Sequence, residues 1–396
     1  MCSLVARHHE SGLWTRVETR GDVIVACETL GATAADGDEL WVAPGLWDLQ
    51  TNGRWGISFS DPGLKVEQVA AIAEANLALG ATTIFPTLIT APLDDLENAL
   101  RVLARTIEER PELARQVGGI HLEGPWISPL DGYRGAHPRE AVRVPVWDDF
   151  QRLRAASGGR IAIVTLAPEH PGALGFIARL VDAGVVVAIG HTAADAPTLR
   201  AAVAAGATLS THLGNGIDAN LPRHPNAIWN QAADDNLTAS FIADGRHLDG
   251  AVLRVLARAK GPRRIILVSD ASPLAGAATG RYGDWEVERD GRIVVAGTPY
   301  LAGANEPLDV GLTNLANATG WSIPDVLATA TSNPARLLGV ASPRIAPGEP
   351  ARLVVLRAAR SADAGVRLRL ASTHVGDRVF TPDAMPAAPS RALTAR

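Results

Sequence analysis

Short apolar runs that end in glycine or polar residues recur along the chain, separated by stretches rich in Ala, Leu and Arg with helical spacing. The runs cover 46–52, 82–87, 119–123, 161–168, 185–191, 208–215, 239–244 and 265–270. The helix-like stretches include 66–79, 93–105, 173–183, 196–205 and 250–259. Apolar runs bounded by turn residues predict buried strands, and strands alternating with helices imply βαβ units in a parallel sheet. Eight such runs predict a closed (β/α)8 TIM-like barrel, with a doubly wound open sheet as the competing architecture.

The flanks read differently and tip the choice toward the barrel. Upstream of 44 the chain is rich in Thr, Val, Asp and Gly, with short alternating runs at 14–19 and 22–27. Beyond 341 it reads RIAPGEPARLVVLRAA and then THVGDRVF, again strand-like pieces broken by Pro and Gly. Both ends together predict a small β-sandwich domain, 1–43 with 340–396, attached to a barrel at 44–339. The Ala/Pro/Ser-rich end, 382–396, predicts a frayed tail.

Composition adds limits. The 396 residues accommodate a barrel of about 250 residues and a smaller module. A hydrophobic share of 47% with 20% charged residues is ordinary for a globular protein. A formal net charge of −5 argues against nucleic acid as the main partner, but leaves room for a small anion held by one or two local cations. Two cysteines, Cys2 and Cys27, make neither a disulfide framework nor a zinc ribbon. The start, MCSLVARHHESG, has no apolar leader, and no run approaches a membrane span. The expectation is a cytoplasmic protein with no membrane partner.

In a parallel barrel, catalytic groups gather at the C-terminal ends of the strands. Those ends carry Gln50 and Asn52, Thr87, Glu123, Glu169, His191, His212, Asp244 with His247, and Asp270. Taken singly, a strand-end His is more often a hydrogen-bonded core or loop residue, and Glu123 or Asp270 could cap a helix. Their coincidence at four strand ends favours a site. Two imidazoles, one carboxylate and an open position make a catalytic metal arrangement: one divalent ion per subunit, zinc first, with iron(II) or another divalent ion as alternatives. Such an ion acidifies a water and polarises a carbonyl. Asp270, on the last strand, is placed as general base and then general acid.

At this point the ordered motifs resemble a known family. PGLWDLQTNG, HLEGPWISP with GAHP, GHT, THLGN, IADGRH and LVSDA are similar to those of the N-acetylglucosamine-6-phosphate deacetylases of the amidohydrolase superfamily. The resemblance runs from about 44 to 339 and covers the flanking sheet domain in outline. It implies metal ligation by Glu123, His191 and His212, and acid–base work by Asp270. It also implies that His137 contacts the substrate and helps polarise its carbonyl. Asn215 with Gly216, Arg223 and His247 match positions that hold the sugar phosphate, and Leu301, Ala302 and Gly303 match a segment near the substrate. The counterpart of Arg223 in that family reaches into the neighbouring subunit's site, which implies a homodimer.

Where many amidohydrolases carry His–x–His and a second metal, this chain has Gln50–Thr51–Asn52, so one metal is expected. Three other departures, His224–Pro225–Asn226, Gly214 and Ala304, fall where sugar and phosphate are read. The implied reaction is deacetylation of an amino-sugar substrate, N-acetylglucosamine 6-phosphate. One alternative is an unphosphorylated or different N-acyl amino sugar or amino acid. Another, of a different class, is a non-catalytic metal-stabilised sugar-binding barrel, for which Asp270 would have no use.

Overall fold

The computed structural model describes residues 2–31, 39–361 and 365–389. The end of the expected frayed tail, 390–396, lies outside them, while Pro382–Ala384 forms a 3-10 turn.

Eight parallel strands make the centre: β1 (Leu46–Thr51), β2 (Ala81–Ile89), β3 (Ile120–Glu123), β4 (Ile161–Leu166), β5 (Val186–Ile189), β6 (Leu209–Ser210), β7 (Thr238–Phe241) and β8 (Ile265–Leu267). They pair in sequence order. Thr51 bridges Ala271 in parallel, and Asp270 N–H donates to Gln50 O at 2.9 Å, so β8 meets β1 and the barrel closes. Side chains drawn from strands around the ring, among them Leu49, Phe85, Ile163, Ala188, Leu209 and Ile266, pack together as the filling. The interior is therefore a packed core rather than a pore.

Outside the strands lie the helices, and their sequence explains their seating. In Leu93–Glu109 the buried residues Leu96, Ala99, Leu100, Leu103 and Ile107 recur every three or four positions, with Asp94 and Asp95 in the first turn. Leu96, Ala99, Leu100 and Leu103 join Leu88, Leu122 and Val164 in one apolar layer between helices and strands.

The flanking strands from the two termini share one seven-stranded sheet, in which Glu39–Pro44 lies between Cys2–His8 and Arg352–Ser361. Val23 bridges Pro350, so the sheet curls back and encloses Ala6, Val17, Ile24, Val42 and Leu353. A further small sheet was not expected: Gly280–Tyr282, Trp285–Val287 and Ile293–Val295 form a three-stranded excursion after β8. Its strands of three residues are too short for a period to register.

Barrel strands end sooner than the apolar runs do, for a local reason. His191, His212 and Asp270 lie just beyond β5, β6 and β8 with φ of +50°, +29° and +47°. Left-handed backbone at non-glycine residues leaves the ladder and carries strain of about 1–3 kcal/mol each, of the kind found at functional sites.

Candidate active site

Glu123, His191 and His212 are all buried and meet at the top of the barrel, each offering a ligand atom within 4.8 Å of the others. Glu123 Oε1 lies 2.9 Å from His212 Nε2 and 3.3 Å from His191 Nε2. Burial works against the charge on Glu123, but its bonds to His191 and His212 outweigh that and hold it well below the usual carboxylate range. For His212 burial alone would lower the pKa; the bond and charge of Glu123 prevail and raise it. His191 Nδ1 lies 2.9 Å from Tyr133 O. A carbonyl only accepts, so Nδ1 carries a proton and Nε2 is the nitrogen turned toward Glu123, the one that would ligate a metal in place of that bond. His212 Nδ1 is buried with no partner among the described residues.

Asp270 stands beside this group and is pinned on one oxygen. Its Oδ1 accepts from Asn52 Nδ2 at 2.7 Å and from Gln50 Nε2 at 3.0 Å. Gln50 Nε2 also donates to Glu123 Oε1 at 3.1 Å, so one amide bridges two carboxylates. Burial, then the charge of Glu123, pushes the Asp270 carboxyl up to about 6. A carboxyl in that range takes and returns a proton near neutrality.

His137 faces the same space, its Nε2 4.0 Å from Glu123 Oε2. Thr90 N–H lies 3.3 Å from His137 Nδ1. A backbone N–H can only donate, which makes Nδ1 the acceptor and puts the proton on Nε2. Burial, followed by the neighbouring His191, lowers His137 to about 3. It is a neutral N–H donor aimed into the cavity.

These side chains floor a cavity of about 230 Å³. Asn215, Gly216, His247, Leu301, Ala302 and Gly303 form part of its wall, so the structure brings together every expected site residue but one. Asp244 orients His247, with Oδ2 2.8 Å from Nδ1 and Oδ1 accepting the His247 N–H at 2.9 Å. Gly216 is required: at φ +60° a β-carbon would lie 2.8 Å from His191 Nδ1. Asn215 Nδ2 is buried with no partner among the described residues. The exception is Arg223, exposed on the segment after Gly216 and absent from the wall. Among the described residues no Lys or Arg lines the cavity.

Several positioning groups escaped the sequence. Thr90 holds His137 Nδ1 with both its N–H, at 3.3 Å, and its hydroxyl, at 2.9 Å, and Tyr133 acts through a backbone carbonyl, which residue type does not reveal. Glu169 caps the turn after His191, accepting from Thr192 Oγ1 at 2.5 Å and from Ala193 N–H at 2.7 Å. Its place at a strand end was the only signal. Trp285 and Tyr300, at the cavity mouth, belong to the small sheet and its return loop.

Comparison with known proteins agrees with this geometry. The amidohydrolase family profile matches residues 41–375. The chain is 39% identical over 313 residues to N-acetylglucosamine-6-phosphate deacetylase of Bos taurus, covering 76% of this chain and 75% of that one. It is 32% identical over 339 residues to N-acetylgalactosamine-6-phosphate deacetylase of Escherichia coli O157:H7, covering 84% and 88%. Among solved structures it is similar to an Asp-to-Ala mutant of N-acetyl-D-glucosamine-6-phosphate deacetylase from Mycobacterium smegmatis in complex with N-acetyl-D-glucosamine-6-phosphate. The TM-score is 0.82 at 31% identity, over 96% of this chain and all of that one (100%).

Proposed function

The chain belongs to the N-acetylglucosamine-6-phosphate deacetylases of the amidohydrolase family, and from that premise we propose that it hydrolyses N-acetylglucosamine 6-phosphate to glucosamine 6-phosphate and acetate. The observation that carries the reading is the floor of the cavity: a Glu/His/His set with an aspartate pinned beside it.

The donor set fits a divalent cation. It offers one carboxylate and two imidazoles, all buried and with ligand atoms within 4.8 Å of one another, and the bond from His191 Nδ1 to the Tyr133 carbonyl leaves its Nε2 to the cluster. Glu123, His191 and His212 would hold one ion, zinc first, which when bound acidifies water and polarises a carbonyl. Gln50 and Asn52 stand where a second metal's ligands would be, but their amides donate to Glu123 and Asp270; a single ion follows.

The chain's own groups do the rest. Asp270 accepts a proton from the attacking water and returns it to the departing amine nitrogen. His137 donates its Nε2–H to the acetyl oxygen as negative charge builds there. Asn215 and His247 bind the sugar phosphate, and the backbone at Ala302 and Gly303 borders the pyranose. Among the described residues no Lys or Arg lines the cavity within one subunit, in keeping with the family resemblance by which Arg223 serves the site of a second copy, in a homodimer. The barrel at 44–339 carries the chemistry and the terminal sheet, 1–43 with 340–396, supports it. A cytoplasmic location belongs to the same reading.

Acetate release, measured in parallel on N-acetylglucosamine 6-phosphate, its galactose epimer and the two unphosphorylated sugars, tests the assignment. We expect turnover of a 6-phosphate far above that of either plain sugar. The cation-poor cavity favours a second reading, an unphosphorylated amino sugar, and equal turnover with and without phosphate would establish it. No acetate from any N-acyl substrate by the metal-loaded protein would leave only the binder.

A further inference from the structure

The segment 215–231, which carries Arg223, begins and ends at one small chamber beside the active site. The chamber measures about 10 Å³, close to what one water molecule needs. His191, Gly214, Asn215, Gly216 and Ile217 line both this chamber and the active-site cavity, so they form the partition between the two. Gln231, on the helix Ala227–Ala233, lines the chamber and not the cavity.

Two side-chain amides border this space with unmet hydrogen bonds. Gln231 is 6% exposed; its Nε2 donates to Ala227 O at 3.3 Å, within its own helix, and its Oε1 is buried with no partner among the described residues. Asn215 Nδ2, on the partition, is buried and partnerless in the same way. One atom is an acceptor and the other a donor, yet they do not bond each other. A buried amide group left unpaired is costly. A void walled by apolar groups stays dry, whereas one bordered by polar groups takes water.

The backbone at both ends of the segment is fixed independently. Asn215 N–H donates to the carbonyl of His212 at 2.9 Å. At the other end the Lys260 ammonium donates to the carbonyls of Gln231, Asp234 and Leu237. Between them Asn226 starts the helix, accepting from Trp229 N–H at 3.2 Å and donating to Pro222 O at 3.0 Å, which ties the neighbour of Arg223 to that helix. The two amides therefore hang from rigid supports.

We propose that a single buried water bridges Gln231 Oε1 to Asn215 Nδ2, which makes Gln231 a positioning residue for the group that Asn215 binds. The water donates to the glutamine oxygen and accepts from the asparagine amide. Because water both donates and accepts, the bridge holds whichever way either amide is turned. Asn215 is then anchored from behind and keeps one side-chain orientation at the cavity wall. The helix that follows Arg223 is linked to that anchor. The water stands on the chamber alone; its effect on the substrate rests on the deacetylase reading, in which Asn215 meets the sugar phosphate.

A crystal structure of the unaltered, metal-loaded protein, at a resolution that shows ordered waters, tests the bridge. One water is expected within about 2.7–3.2 Å of both amides. An empty chamber, a water touching one amide only, or a direct bond between the amides overturns the proposal. Gln231→Met keeps the length of the side chain and removes its acceptor. In that variant KM for N-acetylglucosamine 6-phosphate should rise about 3- to 10-fold, the worth of one hydrogen bond, with kcat within about twofold. KM for the unphosphorylated sugar should stay as it was. Gln231→Leu makes the same comparison should methionine disturb the helix. An unchanged KM, or equal losses in KM and kcat on both sugars, overturns the positioning role. Absence of acetate release by the unaltered protein would sink the deacetylase reading and leave the crystallographic test of the water intact.

Discussion

The floor and the mouth of the cavity are built on different principles. At the floor, Glu123, His191, His212 and Asp270 are buried at strand ends and His137 in the loop after β3, and hydrogen bonds from Gln50, Asn52 and Thr90 and to the Tyr133 carbonyl fix their orientation. At the mouth, Trp285, Tyr300 and Ile217 stand partly open on loops and a small sheet, and Arg223 is exposed. A rigid scaffold with chemistry beneath and recognition on loops above is what barrel enzymes exploit. Reaction type is therefore written in the floor, and substrate identity in the mouth. Changes at the floor should abolish turnover whatever the sugar; changes at the mouth should alter the ranking of sugars.

The largest expected effect comes from the ligands. His212→Ala should cut bound divalent metal to a small fraction of that in the unaltered protein, with activity falling by roughly 10³ or more on every substrate. Metal analysis and acetate release on one preparation check both, and retention of full metal content would remove His212 from the ligand set. Asp270→Asn should leave metal content and sugar binding in place while kcat falls by about 10²–10⁴. A variant that lost metal along with activity would instead make Asp270 part of the cation's cage.

The mouth predicts a selective effect. Arg223→Ala should raise KM for N-acetylglucosamine 6-phosphate about 10- to 100-fold, the worth of a lost charge-assisted phosphate contact, and spare the unphosphorylated sugar. Equal losses on both sugars would break the division between floor and mouth. Mixing Arg223→Ala with His212→Ala tests the crossed arrangement, since a heterodimer then holds one site with both residues intact. Recovery of activity on mixing is expected if Arg223 serves the partner's site.

The same division governs what could be read from the chain alone. The barrel and the meeting of Glu123, His191 and His212 were legible because each of these three ends an apolar run, as in VVVAIGH, ATLSTH and HLEGP, where burial and residue type report together. Helix limits were legible to within a few residues: 66–79 became Val66–Ala78 and 250–259 became Gly250–Lys260. The mouth was not. Its small sheet has strands of three residues, and Tyr133 contributes a carbonyl that any residue carries. Gln50 was legible as a poor metal ligand, but its bridge between Glu123 and Asp270 depends on three strand ends meeting in space.

The smallest expected effect lies just beneath the floor, at Asp48 on β1. It is 1% exposed, and its carboxylate accepts from the Ser269 hydroxyl, from Ser269 N–H at 3.0 Å and from Gln50 N–H at 3.3 Å. Asp48 thus ties the end of β8 to β1 next to Gln50 and Asn52, the two residues that hold Asp270. Burial nevertheless pushes its pKa up to about 6, above the ordinary value of 3.8. A carboxyl whose folded value is raised binds its proton more tightly in the native state. Its contribution to stability is complete below the ordinary value and is lost as pH rises through about 6. Between pH 5 and 7 that amounts to roughly 1 kcal/mol. In Asp48→Asn the group no longer titrates. The stability gap between the unaltered protein and this variant, taken from denaturant unfolding, should therefore be about 1 kcal/mol larger at pH 5 than at pH 7. A gap that stays constant across that range would mean that the three donors keep Asp48 ionised. The strand seam below the catalytic aspartate would then be held by charge rather than strained by burying it.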